Sequence, residues 1–208
     1  MLEGLSFDQQ KEAQEILEAI KFFSFKGWSP ATSTNYSLRL QNDRFLISRS
    51  GVDKSQFKLN DLIHINSKGE IYPEFQKPGV KSSAETMIHT SIYARFPDIN
   101  CVLHTHSVLG TWLSQKFAME KAIHFNGWEL LKGLAGIDTH LTTVTLPIVY
   151  NHQDMETLMN EMEYHWAYGP MGFLIAGHGL YTWGRNVFEA KRHIETFEFL
   201  FELKKLEK

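Results

Sequence analysis

A chain of 208 residues with 43% hydrophobic and 22% charged side chains is long enough to bury a substantial core, and predicts one globular domain over residues 1–208. Its 21 basic and 24 acidic residues leave a formal charge of −3 with no long run of one sign, which argues against nucleic acid as a partner and against a polybasic membrane anchor. No segment is apolar for the length of a bilayer, the first residues lack a secretory pattern, and the single cysteine, Cys101, has no intrachain partner, so the expectation is a cytoplasmic protein.

The spacing of Ala13, Ile16, Leu17, Ile20 and Phe23 predicts an amphipathic helix over residues 7–26. Two short alternating segments, 35–40 and 44–48, are separated by Gln41-Asn42-Asp43 and read as a β-hairpin, with a third strand over 62–65. The stretch 73–81 is irregular; helical spacing returns over 82–96 through Met87, Ile88, Ile92 and Tyr93 before Pro97 ends it. Residues 100–106 are strand-like, 108–114 and 128–134 helical, 143–148 a strand and 154–168 a helix. Strands at 172–176 and 180–183 flank a Gly-His-Gly turn, and 187–206 forms a long closing helix. No repeat or Pro/Gly/Ser-rich linker divides the chain. Helices interleaved with closely spaced strand pairs favour a mostly antiparallel sheet covered by helices.

Ten histidines are the unusual feature of the composition. In Cys101-Val102-Leu103-His104-Thr105-His106, the two histidines lie two apart on a predicted strand, so their rings share one face and form a two-point metal claw; the plain alternative is a partly buried structural pair. His178 stands between Gly177 and Gly179, where the backbone is free to turn sharply and approach a bulky neighbour. Three imidazoles from two segments, with an open fourth position, are the ligand set of a catalytic zinc-type site. Such a site polarises a carbonyl or activates water.

Two carboxylates are candidates for proton transfer. Ser82-x-x-Glu85 reads as a capping box, yet the same helix start, with Ser82 and Ser83, suits a phosphate, and Glu85 one turn in suits a place beside the metal. Glu129, in Trp128-Glu129-Leu130-Leu131-Lys132, belongs on an exposed helix face unless it faces the metal pocket, where burial would raise its pKa. The loops 29–35 and 48–54 offer further hydroxyls and a glycine, with Arg49 and Lys54 read by default as solvated charges. The other histidines, His64, His89, His124, His140, His152, His165 and His193, lack the spacing that would join them to the site and read as structural or surface residues. Trp28, Trp112, Trp128, Trp166 and Trp183 read as core or subunit contacts.

In their order and spacing, Thr32-x-x-Asn35, Ser50-Gly51, Ser82-Ser83-x-Glu85, His104-Thr105-His106 and His178 resemble the class II aldolase/adducin-head family, along most of the chain. The segments 81–86, 102–107, 128–133 and 177–184 look most like its dehydratase branch. The resemblance implies an α/β fold, a three-layer αβα arrangement with a central, mostly antiparallel sheet, and a homotetramer with the site near a subunit boundary. It implies zinc, one ion per subunit, on His104, His106 and His178, and a small sugar phosphate held by Thr32, Asn35, Ser50, Gly51, Ser82 and Ser83. Glu129 falls where the dehydratases carry their general acid/base and Glu85 where the aldolases carry theirs. Ala176 departs from a basic residue before the Gly-His-Gly. The implied activity is dehydration of a methylthio-pentulose 1-phosphate in methionine salvage; the alternatives are a zinc-dependent fuculose- or ribulose-phosphate aldolase and a non-catalytic adducin-like scaffold.

Overall fold

The computed structural model describes residues 4–41, 43–165 and 171–207. The elements are α1 (Phe7–Phe25), β1 (Tyr36–Arg39), β2 (Phe45–Ser48), β3 (Leu62–Ile65), α2 (Thr86–Arg95), β4 (Cys101–Thr105), α3 (Val108–Lys116), β5 (Ala122–Asn126), β6 (Thr143–Val149), α4 (Met155–His165), β7 (Gly172–Ile175), β8 (Gly179–Gly184) and α5 (Val187–Leu206). The strands form a sheet in the order β3-β2-β1-β4-β8-β7-β6-β5, in which β6 and β7 run parallel and the other neighbours antiparallel. The expected mostly antiparallel sheet is therefore what the chain builds.

Strand alternation sorts the core into two layers. On β4, Val102 packs on one face with Phe45, Ile47, Ile88, Ile92 and Leu158, while Cys101 and Leu103 pack on the other with Ile16, Phe23, Ile194 and Phe197. Helices α2 and α4 cover the first face and α1, α3 and α5 the second, giving three layers. Each such apolar side chain contributes about 1.5–3 kcal/mol by leaving water. α1 begins at a capping box, with Ser6 Oγ accepting from the Gln9 amide and Gln9 Oε1 from the Ser6 amide. No helix among the described residues is long and apolar enough to cross a membrane.

Several elements differ from the sequence reading. α2 starts at Thr86, not 82, because the Ser50 amide donates to the Lys81 carbonyl at 2.9 Å and holds the preceding chain beside the β2–β3 connection. The capping box at Ser82 is absent; Ser83 Oγ accepts from the Glu85 amide instead, at 3.2 Å, leaving Glu85 as the cap. Residues Glu129–Gly133 form a 3-10 turn, pressed so closely on α5 that a Cβ on Gly133 would lie 2.2 Å from Thr196 Oγ1. β5 pairs with β6 through buried Ile123 and Phe125, with His124 and Asn126 facing water, a short alternation that the sequence reading passed over. The expected helix over 154–168 is described as far as His165; its end, with Trp166, lies outside the described residues.

Candidate functional site

The β4–β8 ladder creates the cluster. His104 pairs with Tyr181 and Thr105 with Leu180, which sets the β7–β8 turn against the end of β4 and brings His178 to His104 and His106. Both flanking glycines are required by what surrounds them. Gly177 has φ +64°, and a Cβ on Gly179 would lie 2.2 Å from the Thr105 carbonyl oxygen and 3.0–3.2 Å from ring atoms of His106 and His104. One ligand nitrogen from each of the three histidines lies within 4.8 Å of the others. His178 is anchored from α3, where Thr111 Oγ1 donates to its carbonyl at 2.8 Å.

The protonation pattern suits a metal. His104 is fully buried and its Nδ1–H donates to the Leu180 carbonyl at 3.0 Å, so its Nε2 presents a lone pair, 2.6 Å from His106 Nε2. At that separation either a neutral His106 Nε2–H donates to the His104 lone pair or a cation lies between the two nitrogens. Burial lowers the pKa of His104 well below the usual value and that of His106 to about 4, so both rings are uncharged near neutrality and keep a lone pair for a ligand role. Three imidazole nitrogens converging in this way fit a divalent cation of the kind that binds nitrogen donors.

Glu85 enters the same cluster from the start of α2. Its Oε1 is 3.0 Å from His178 Nε2, and its Oε2 is 3.6 Å from His104 Nε2 while accepting from Asn35 Nδ2 at 2.6 Å and the Tyr181 hydroxyl at 2.7 Å. Burial opposes the Glu85 charge, but His104, His178 and the Tyr181 hydroxyl outweigh it and hold the carboxyl below the usual carboxylate range. Tyr181 stacks on His104 with ring centres 3.9 Å apart. Neither Tyr181 nor His89 figured among the expected site residues. The reading of His89 as unconnected is corrected: it is fully buried and its Nε2 bonds to Asn35 Oδ1. The sequence signal was present in Glu85-x-x-x-His89, one helical turn apart.

A cavity of about 210 Å3 adjoins the cluster, with Thr32, Asn35, Ser50, Ser83, Glu85 and His106 on its wall. Gly51 and Ser82 are next to wall residues in the chain but not on the wall. Gly51 turns its loop at φ +75°, and Ala31 and Thr34 hold left-handed backbone at φ +54° and +71°, a concentration of strain typical of a binding loop. The two cations do not have the solvated surroundings expected of them. Arg49, on the wall, pairs with Asp61 at 2.7 Å; Lys54 is buried, its Nζ donating to the Val52 carbonyl at 3.1 Å, and burial lowers its pKa to about 8. A larger cavity of about 560 Å3 runs beside β3 and Phe75, has His64 on its wall, and shares only Arg49 with the smaller one and none of the three clustered histidines.

Glu129 stands apart. It is exposed, its Oε1 2.6 Å from Lys132 Nζ and its Oε2 3.1 Å from His140 Nδ1, and the Lys132 hydrogen bond lowers its pKa instead of burial raising it. Within one chain it does not meet the three histidines or line their cavity.

Residues 14–204 match the Class II Aldolase and Adducin N-terminal domain family. The chain is 45% identical over 199 residues to methylthioribulose-1-phosphate dehydratase of Picosynechococcus sp., covering 95% of this chain and 93% of that protein. It is 42% identical to the Pseudomonas fluorescens protein of the same name, covering 95% and 94%. Among solved structures, L-fuculose-1-phosphate aldolase from Thermus thermophilus superposes with a TM-score of 0.72 at 21% identity, over 93% of each chain, and shares the fold. The three-histidine cluster, the hydroxyl-lined cavity beside it and these likenesses agree: the chain belongs to the class II aldolase and adducin N-terminal domain family.

Proposed function

We propose that this chain removes water from 5-methylthioribulose 1-phosphate to give 2,3-diketo-5-methylthiopentyl 1-phosphate, a methionine-salvage step, as a cytoplasmic homotetramer with one zinc ion held by His104, His106 and His178. The observation that carries the reading is His106, which belongs both to the imidazole cluster and to the wall of the hydroxyl-rich cavity. A ketose 1-phosphate whose phosphate occupies that cavity presents its C2 carbonyl and C3 carbon next to the histidines. The names of the relatives at 45% and 42% identity support the substrate. Bound zinc would supply a Lewis acid that polarises the carbonyl and acidifies the neighbouring C–H.

The chain's own residues supply the rest. Thr32, Asn35, Ser50 and Ser83 donate hydrogen bonds to the phosphate oxygens, with Gly51 and Ser82 shaping their loops. Glu129 takes the C3 proton as general base, and the electron pair moves toward the C2 carbonyl. It then returns that proton to the C4 hydroxyl, which leaves as water as the C3–C4 double bond forms; the enol tautomerises to the diketone with a solvent proton at C4. Since Glu129 faces solvent in its own chain, it serves the site of a neighbouring subunit across their boundary.

Glu85 favours a second reading. A carboxylate already beside His178 and His104 suits aldol cleavage, which breaks a carbon–carbon bond and releases dihydroxyacetone phosphate and an aldehyde from fuculose 1-phosphate. Incubation of purified protein with each sugar phosphate separates the two. Loss of one water from the first substrate with the second untouched is the expected result; triose phosphate from the second assigns the chain to the aldolases.

A further inference from the structure

We infer that His89 is a positioning residue that fixes the direction of the Asn35 side-chain amide, and through it the donors offered to Glu85 and to the substrate phosphate. The inference rests on the dehydratase reading only for its kinetic arm. Asn35 stands between the two subsites: its Nδ2 donates to Glu85 Oε2 at 2.6 Å and to Ser83 Oγ at 3.2 Å, and its side chain lines the hydroxyl-rich cavity. Its backbone is tied to the histidine strand, since the His104 amide donates to the Asn35 carbonyl at 3.0 Å. The backbone therefore fixes where Asn35 is, but not which way its amide faces.

A chain of hydrogen bonds behind it settles the direction. The Tyr93 hydroxyl shares a hydrogen bond with Ser37 Oγ at 2.8 Å. Ser37 in turn donates to His89 Nδ1 at 2.7 Å, and His89 Nε2–H donates to Asn35 Oδ1. Ser37, His89 and Tyr93 are all buried. Burial also pushes the His89 pKa down to about 3, so the ring carries a single proton. That proton has one consistent place. With Nδ1–H, the bare Nε2 would face Asn35 Oδ1, acceptor against acceptor. Turning the amide over to relieve this would set Oδ1 against the Glu85 carboxylate. Only the Nε2–H tautomer, with Nδ2 toward Glu85, satisfies both ends.

The test is a double-mutant cycle joined to nuclear magnetic resonance of the wild-type protein. His89→Leu, which removes the donor, should lower kcat/KM about 10–100-fold, mainly through KM, while metal content stays at the wild-type level. His89→Gln, which retains an amide N–H, should recover to within about threefold of wild type. In an Asn35→Ala background, His89→Leu should cause no further loss. A merely structural histidine gives additive losses, and that result overturns the proposal. So does a Gln variant as impaired as the Leu variant. The 15N shifts of His89 should report the neutral Nε2–H tautomer from about pH 5 to 8; an Nδ1–H tautomer overturns the proposal even if the Leu variant does not fold. Should wild type fail to dehydrate 5-methylthioribulose 1-phosphate, the functional reading falls by itself. The same cycle is then read in the affinity for inorganic phosphate, where non-additivity supports the positioning role and additivity overturns it.

Discussion

Gly179 shows how little freedom the site leaves at single positions. A methyl group there would meet the Thr105 carbonyl oxygen at 2.2 Å, and backbone cannot move aside as a flexible side chain does. Gly179→Ala should therefore push the His178 turn off β4, costing roughly 2 kcal/mol or more of stability and bringing bound metal well below one ion per chain, as thermal melts and metal analysis would measure. Wild-type metal content in this variant would contradict the close packing described here. Glu129→Gln should retain metal and lose turnover by about 10²–10⁴-fold. Near-normal turnover would pass the acid/base role to Glu85. At this scale the three histidines were legible because strand period and a glycine-flanked turn are local patterns. Tyr181 was not, and the Glu85-x-x-x-His89 spacing did not show that His89 meets Asn35, because these contacts form only after β1, β4 and β8 have assembled.

At the scale of elements, α5 carries a pH-dependent liability. Glu198 is buried near Ser107, its Oε1 without a hydrogen-bond partner among the described residues, and burial pushes its pKa up to about 8 from an ordinary value of 4.5. The folded state therefore holds its proton more tightly than the unfolded chain. This contribution to stability is full below about pH 4.5 and is lost as pH rises through about 8. Over that window the loss is about 1.4 kcal/mol per pH unit. Glu198→Gln removes the dependence, so urea titrations should find the variant more stable than wild type at about pH 8 and the gap closing toward about pH 5. An equal gap at both values would contradict a buried, protonated Glu198. Most elements were readable from spacing, and α5 and β3 appear with the expected bounds. The start of α2 was not readable, since the Ser50–Lys81 backbone bond that delays it joins residues distant in the chain.

For the whole molecule, the separation of Glu129 from the histidines is the main consequence of the fold. The strand order places β4 and β8 at the sheet centre and β5, which leads into the Glu129 turn, at its edge. A site divided between copies predicts complementation. Co-expression of Glu129→Gln with His178→Ala chains, each inactive alone, should restore roughly a quarter of wild-type activity if copies mix at random, because some boundaries join an intact histidine set to an intact Glu129. No recovery in mixed oligomers would confine Glu129 to its own chain and exclude it from the site. The mostly antiparallel, helix-covered architecture was legible from the interleaving of elements. The separation of Glu129 from the histidines within one chain was not, because spacing alone does not tell which face of the Glu129 turn packs inward.

The most direct measurement is the mass spectrum of 5-methylthioribulose 1-phosphate after incubation with the purified protein in three states: as isolated with its metal quantified, stripped by chelation, and restored with zinc. The account predicts a product lighter by one water in the first and third states and unchanged substrate in the second. Triose phosphate, turnover that survives complete metal removal, or unchanged substrate in the zinc-restored protein would contradict it.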